Sequence, residues 1–395
     1  MRISTVTFQE NALNQMQALE ADLSKTQTQL STGKQLQSAA DNPAAMSQVN
    51  QLNAELSASQ QYVTNGNAAS ANLQLEANAL TSATNVLQSA RDLAVQANNA
   101  SLTAAQRQDI ATQLQQQLQQ LIALGNSTDS NGNYLFGGYA TSSPPFSMSG
   151  SSVSYAGTQD VSQLQISADQ RISAGDAGSS VFMNIPAGNG TFTTAAAASN
   201  TGSGSIDPGS ITDPAAWVPD TYTISFTSPT QYQVTNSSNA VVASGTYTSG
   251  NAIDFNGAQL TVSGVPATGD QFTVAPAGTA SAFSTLSSLI ATLSSTTLSP
   301  AQVTTQLGGA LQQIDGAIAN IDNVQAAVGG RINAISAAQS SAQSQQTNLQ
   351  SSVSQLSDVD YAAATTRLST EELALQAAQE SYASLAKLSL FNYLP

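Results

Sequence analysis

Asp129-Ser-Asn131-Gly-Asn133 opens like a calcium-binding loop, in which carboxylate and amide oxygens surround a hard cation. The sixth position is Tyr134, where such a loop turns on Gly, and the twelfth is Ala140, where it needs a bidentate Glu, so the stretch reads as a polar turn. Gly33-Lys34 resembles the close of a phosphate loop, but Thr28 occupies the position of its first glycine. Gly202-Ser-Gly204 does not continue into a dinucleotide fingerprint. Asp358 with Asp360, and Glu371 with Glu372, are spaced so that they could divide acid and base roles. With no cleft or metal-binding neighbour implied beside them, they read as a solvated helix face. The chain has no His and no Cys. That removes the usual general base near neutral pH, the commonest metal ligand, disulfides and thiol chemistry. No catalytic residue, cofactor or metal is expected.

The net charge is -15, and between Arg171 and Arg331 there is no Lys or Arg at all. Asp176, Asp207, Asp213, Asp220, Asp254, Asp270, Asp315 and Asp322 fall in that interval, which argues against nucleic acid or an anionic membrane as partner. No apolar run reaches the roughly 18 residues that membrane insertion requires. Met1-Arg2-Ile3-Ser4-Thr5 lacks the apolar stretch of a secretory signal, so a cytoplasmic protein and one exported without a cleaved signal both fit.

With little chemistry to position, the sequence is organised by helical seams. Alternate steps of four and three from Ile314 pass through Ile318, Ile321, Gln325, Val328, Ile332, Ile335, Gln339, Ala342, Gln346, Leu349, Val353 and Leu356. This is the pattern of a helix meeting a partner along a narrow stripe. Gly329 and Gly330 mark a weak spot in it, because each costs a helix about 1 kcal/mol against Ala. The partner is a helix expected from about Pro43 to about Asn99, with Leu52, Leu56, Val63, Leu73, Leu80, Leu87 and Ala94 on its seam. A third helix carries Ile110, Leu114, Leu118, Leu121 and Ile122 and stops near Gly125.

From Asp129 the composition shifts to turn residues and short alternating strands. Tyr222-Thr-Ile224-Ser-Phe226, Tyr232-Gln-Val234 and Phe272-Thr-Val274 are the clearest, and 188–214 reads as loop. The fold class expected is mainly α with inserted β. A discontinuous long-helix coiled-coil trunk is drawn from both chain ends, with a β-rich outer domain between them. The boundaries are 1–43 plus 364–395 for a terminal helical assembly domain, 44–135 plus 284–363 for a helical-bundle trunk, and 136–283 for the insert. Trunk seam positions are Leu73, Leu80, Leu87, Ile318, Ile321, Val328, Ile335, Leu349, Val353 and Leu356.

The two ends are thin in core. Leu13, Leu19, Leu23 and Leu30 form one stripe, and Leu375, Tyr382 and Leu385 form another that runs into Leu388, Leu390, Phe391 and Leu394. Isolated helices of this kind are marginal in water. They are therefore expected to lack order in the free chain and to serve as an assembly interface, pairing with each other or with copies of the chain.

Several stretches carry a family resemblance. Met1-Arg2-Ile3-Ser4-Thr5 with Phe8, Ser31-Thr32-Gly33-Lys34, Ser38-Ala39-Ala40-Asp41-Asn42-Pro43, Gly132-Asn133-Tyr134-Leu135-Phe136-Gly137-Gly138 and Leu388-Ser389-Leu390-Phe391-Asn392-Tyr393-Leu394 resemble the flagellin superfamily, and within it the proteins of the hook–filament junction. Gly264 to Val274 is similar to the outer β domain of bacterial hook-associated proteins. The resemblance implies an extracellular structural subunit exported unfolded through the flagellar type III channel. It implies assembly as a ring of copies of itself between hook-associated protein 1 and the flagellin filament. It also implies an export chaperone on the C-terminal stripe around Leu375, Tyr382, Leu385 and Leu388. The flagellin filament subunit itself is the alternative. An exported adhesin, or an effector whose insert uses carboxylates such as Asp220 and Asp270, is the reading from another class.

Overall fold

The computed structural model describes residues 5–99 and 101–387. The helices are α1 (Thr5–Thr32), α2 (Pro43–Ala97), α3 (Ala104–Gly125), the short α4 (Gly178–Phe182), α5 (Ala282–Ser294), α6 (Pro300–Ser357) and α7 (Tyr361–Lys387). Their starts follow from local chemistry. Asn42 Oδ1 accepts the Ala45 N–H at 3.1 Å, ahead of Pro43 at the first helical position of α2. Thr103 and Gln106 close a capping box at α3, and Ser281 with Ser284 does the same at α5. α6 runs unbroken through Gly329 and Gly330.

Strands fill the interval between α3 and α5. They are β1 (Phe146–Ser149), β2 (Ser152–Tyr155), β3 (Gln163–Gln165), β4 (Arg171–Ser173), β5 (Ile185–Pro186), β6 (Phe192–Ala196), β7 (Ser205–Ile206), β8 (Ser210–Ile211), β9 (Tyr222–Ser228), β10 (Gln231–Thr235), β11 (Val241–Thr246), β12 (Ala252–Phe255), β13 (Ala258–Ser263), β14 (Gln271–Pro276) and β15 (Thr279–Ala280). The largest sheet is antiparallel in the order β11-β10-β9-β14-β6, and a smaller one runs β12-β13-β7 with β8 also on β13. Segment 188–214, read from sequence as loop, supplies β6, β7 and β8. β6 is Phe-Thr-Thr-Ala-Ala, short and without a clear apolar alternation, set in an Ala/Ser/Gly/Thr-rich stretch, and its pairing with β14 from Phe272↔Ala196 to Pro276↔Phe192 makes it a strand.

The described chain divides into two compact units. The first holds the residues up to Thr64 together with those from Gln339 onward, and the second holds 65–338. α2 and α6 contribute residues to both.

The second unit has two separate cores. One is helical, built on α2, α3, α5 and α6, and it also takes in Phe136, Phe146, Ile166, Ile172, Val181, Phe182 and Ile185. Phe146 and Phe182 each meet Phe283 of α5 at ring-centroid distances of 4.9 and 5.6 Å, and these contacts tie the segment after α3 to the bundle. The other core lies between the β sheets, with Phe192, Tyr222, Ile224, Phe226, Phe255, Leu260, Phe272 and Val274 buried in it. So the interval expected as one β-rich insert is built in two parts, and only the stretch from about Phe192 to Val274 has a core of its own. Polar contacts join that β core to α6. Gln302 Nε2 donates to the Ala198 carbonyl at 3.1 Å, Thr305 Oγ1 accepts the Ile206 N–H at 3.2 Å, and Gln313 Oε1 accepts the Gly188 N–H at 3.0 Å.

Candidate assembly interface

In the second unit the seam of α2 is strict. Ala69, Leu73, Glu76, Leu80, Ala83, Leu87, Ala90, Ala94 and Ala97 recur at alternating steps of four and three, and all are buried. Opposite, Ile321, Val328 and Ile335 of α6 are fully enclosed. Between Ile314 and Ile321 the innermost side chain is Ala317, while Ile318 sits beside it partly buried, so the true register steps by three and then four. Stepping by four from Ile314 reaches Ile318, which packs against this core from the side of Ala317. Gln325 lies to the side, donating to Thr81 Oγ1 at 2.9 Å.

The first unit is built differently. Leu349 is buried, Val353 and Leu356 are partly so, and Ser59 Oγ donates to the Ala342 carbonyl at 3.3 Å. Among the described residues, the hydrophobic side chains this unit buries are Val49, Ala342, Leu349 and Ala364. As far as the described residues reach, the terminal stripes, expected to lack order in a free chain, lie on helices, and α1 packs on α7. Polar links hold this unit together. Lys25 pairs with Asp41 at 2.7 Å, Gln29 donates to the Gln35 carbonyl at 3.0 Å, and Gln35 N–H donates to the Ser357 carbonyl at 2.7 Å. The hydrogen bond from Lys25, then those from the Ser38 and Gln37 amides, holds the Asp41 carboxyl down at about 2.

The described part of the leucine stripes is half-covered. Leu13 is 49% exposed, and Leu19, Leu23 and Leu30 are partly buried. On α7, Leu375 and Tyr382 are partly buried, while Leu373, which the sequence pattern passed over, is 67% exposed. The side chain of Leu385, and Leu388, Leu390, Phe391 and Leu394 entirely, lie outside the described residues.

Of the carboxylates weighed for chemistry, Asp358, Asp360, Asp129 and Asp270 have structural work. Asp358 pairs with Lys34, and Asp360 accepts the N–H groups of Ala362 and Ala363 at the start of α7, so neither simply faces solvent. Asp129 turns its own loop by accepting from the Asn131 and Asn133 amides, each at 2.8 Å. Both oxygens of Asp270 are occupied by the N–H groups of Thr201, Gly202 and Ala267. Among the described residues no three His, Cys, Asp or Glu side chains converge where a metal could be held, and no helix is long and apolar enough to cross a membrane. The position that sequence reasoning missed is Glu76. Its signal was available, since a carboxylate occupies a seam position between Leu73 and Leu80.

Residues 3–141 match the bacterial flagellin N-terminal helical region and 311–394 the C-terminal helical region. Residues 195–276, which cover the β core, match the D2-like domain of flagellar hook-associated protein 1. Flagellar hook-associated protein 3 of Salmonella typhimurium is 33% identical over 185 residues, 47% of this chain and 58% of that protein, so the match spans little more than half of the relative's length. Among solved structures, Xanthomonas campestris FlgL is 33% identical with a TM-score of 0.71, over 76% of this chain and 98% of that one. The flagellar hook associated protein-3 of Legionella pneumophila is 31% identical with a TM-score of 0.75, over 78% of this chain and 98% of its own.

Proposed function

Because the chain belongs to the flagellin family, we propose that it is a structural, non-catalytic subunit of the bacterial flagellum, set at the junction between hook and filament. The observation that carries this reading is the α1–α7 pair: thin in core, and presenting Leu13 and Leu373 to solvent. Apolar faces left open on paired helices are surfaces for further copies of the same helices. Assembly through Leu13, Leu19, Leu23, Leu30, Leu375, Tyr382 and Leu385, continued by Leu388, Leu390, Phe391 and Leu394, would form a ring of this chain. Hook-associated protein 1 and flagellin, the neighbours that the family resemblance implies, complete the proposal on either side of that ring. An export chaperone covering the C-terminal stripe belongs to the same proposal, as does export without a cleaved signal.

The test is the position of an epitope-tagged copy on isolated flagella, seen by gold labelling in the electron microscope. A single band between hook and filament is expected. Label along the whole filament would make the chain a filament subunit instead, and absence of label from the flagellum would end the proposal.

A further inference from the structure

Glu76 is 1% exposed on the seam of α2, and neither of its carboxylate oxygens has a hydrogen-bond partner among groups in their ordinary charge states. It faces a cavity of about 170 Å³ that Asn72, Asp129, Asn133, Tyr134 and Gly175 also line. Asp176 lies beside it. The guanidinium that acts on both carboxylates, Arg331 of α6, is already engaged. Its Nη2 donates to Asp176, its Nη1 to the carbonyls of Ser173 and Gly175 at 3.5 and 3.2 Å, and its Nε to the Ala327 carbonyl at 3.4 Å. Two carboxylates and one guanidinium leave one negative charge unmatched, and of the three side chains Glu76 is the one buried from water, so its charge, without a partner, neutralises instead.

We propose that Glu76 is held as the neutral acid and donates its O–H to the Asp176 carboxylate. One proton then closes a chain from α2 through Asp176 to Arg331 on α6. A carboxyl–carboxylate hydrogen bond exists only while that proton is present, so the chain is a catch that ionisation opens. Burial first, then the negative charge of Asp176, pushes the Glu76 carboxyl up to about 9, with Arg331 pulling the other way. Asp129, whose oxygens are engaged by the amides of its own loop, and Tyr134 face the same cavity from the turn after α3. Since the folded-state value lies above the ordinary one of 4.5, the contribution of the catch is complete below that pH and is lost as pH rises through about 9.

The experiment uses the full chain. Its infrared spectrum is recorded from neutral to alkaline pH, and its melting temperature is followed over the same range beside Glu76→Gln. The amide of Gln keeps a donor toward Asp176 without a titrating proton. A protonated-carboxyl band present at pH 7, lost toward pH 10 and absent from Glu76→Gln, is the expected result. The wild-type melting temperature should fall relative to the variant over the same interval. The infrared titration of the wild type decides the matter even if the variant does not fold. No such band at pH 7 would overturn the proposal. So would a melting temperature raised by calcium chloride in the wild type but not in Glu76→Gln, because a cation would then occupy the cavity in place of the proton.

Discussion

Lys34 Nζ lies 2.5 Å from Asp358 Oδ1 and so joins the turn after α1 to the turn between α6 and α7, across nearly the whole sequence. The backbone repeats the link: Gln35 N–H donates to the Ser357 carbonyl at 2.7 Å, and Val359 N–H donates to the Gly33 carbonyl at 3.0 Å. The hydrogen bond from Lys34, followed by those from Ser354 and Ser357, holds the Asp358 carboxyl at about 2. A carboxyl lowered in the folded state stabilises at pH values above its ordinary 3.8, and that contribution disappears as pH falls through about 2. Asp41, lowered by Lys25, titrates in the same window. The amide resonances of Gly33, Gln35 and Val359 should therefore shift together as pH falls from about 3 through about 2, while those of α3 stay in place. In Asp358→Asn the folded shifts should be altered already at neutral pH.

Gly33 and Gly329 should respond in opposite directions to the same substitution. Gly33 sits at φ +69°, and a Cβ there would come 3.0 Å from the Tyr361 hydroxyl. Gly33→Ala is expected to destabilise by about 1–2 kcal/mol. Gly329 lies inside α6, and the position a Cβ would take there is open space, so Gly329→Ala should stabilise by about 0.5–1 kcal/mol. Denaturant midpoints of both variants check this. A stabilised Gly33→Ala would show that the turn does not need the left-handed backbone.

Leu87 is fully buried in the helical core, and Leu87→Ala should cost about 2–5 kcal/mol, read from the denaturant midpoint. A loss under about 1 kcal/mol would mean that this seam relaxes around the cavity and is not tightly packed.

What the sequence revealed and what it hid follow from one cause. Helical seams repeat every seven residues, so Leu73, Leu80 and Leu87 announce α2, and the heptad from Ile314 announces α6 in spite of its glycines. Short strands pair with segments far away, and nothing local in Thr193 to Ala196 says that β14 will lie alongside. The pairing of α1 with α7 was one of the two options read for the thin ends, the other being copies of the chain. The links around the adjoining turns were not legible: Lys25 with Asp41, and Lys34 with Asp358, are single charges whose partners sequence spacing does not identify. Glu76 was legible as an oddity in a leucine seam, but its neighbours Asp176 and Arg331 come together only in the folded chain.

The assembly reading turns on residues whose loss should leave the fold intact. Leu13 and Leu373 are among the most exposed large apolar side chains of the first unit, so replacing either with Ser removes little buried surface. Folding stability should change by no more than about 0.5 kcal/mol, as for other surface positions. If these faces receive neighbouring copies, Leu13→Ser with Leu373→Ser should preserve the far-ultraviolet circular dichroism and melting temperature of the purified chain. In cells carrying the double variant as their sole copy, filament growth should stop. Normal filaments would remove both leucines from the interface. A lowered melting temperature would mean instead that they already pack within one chain.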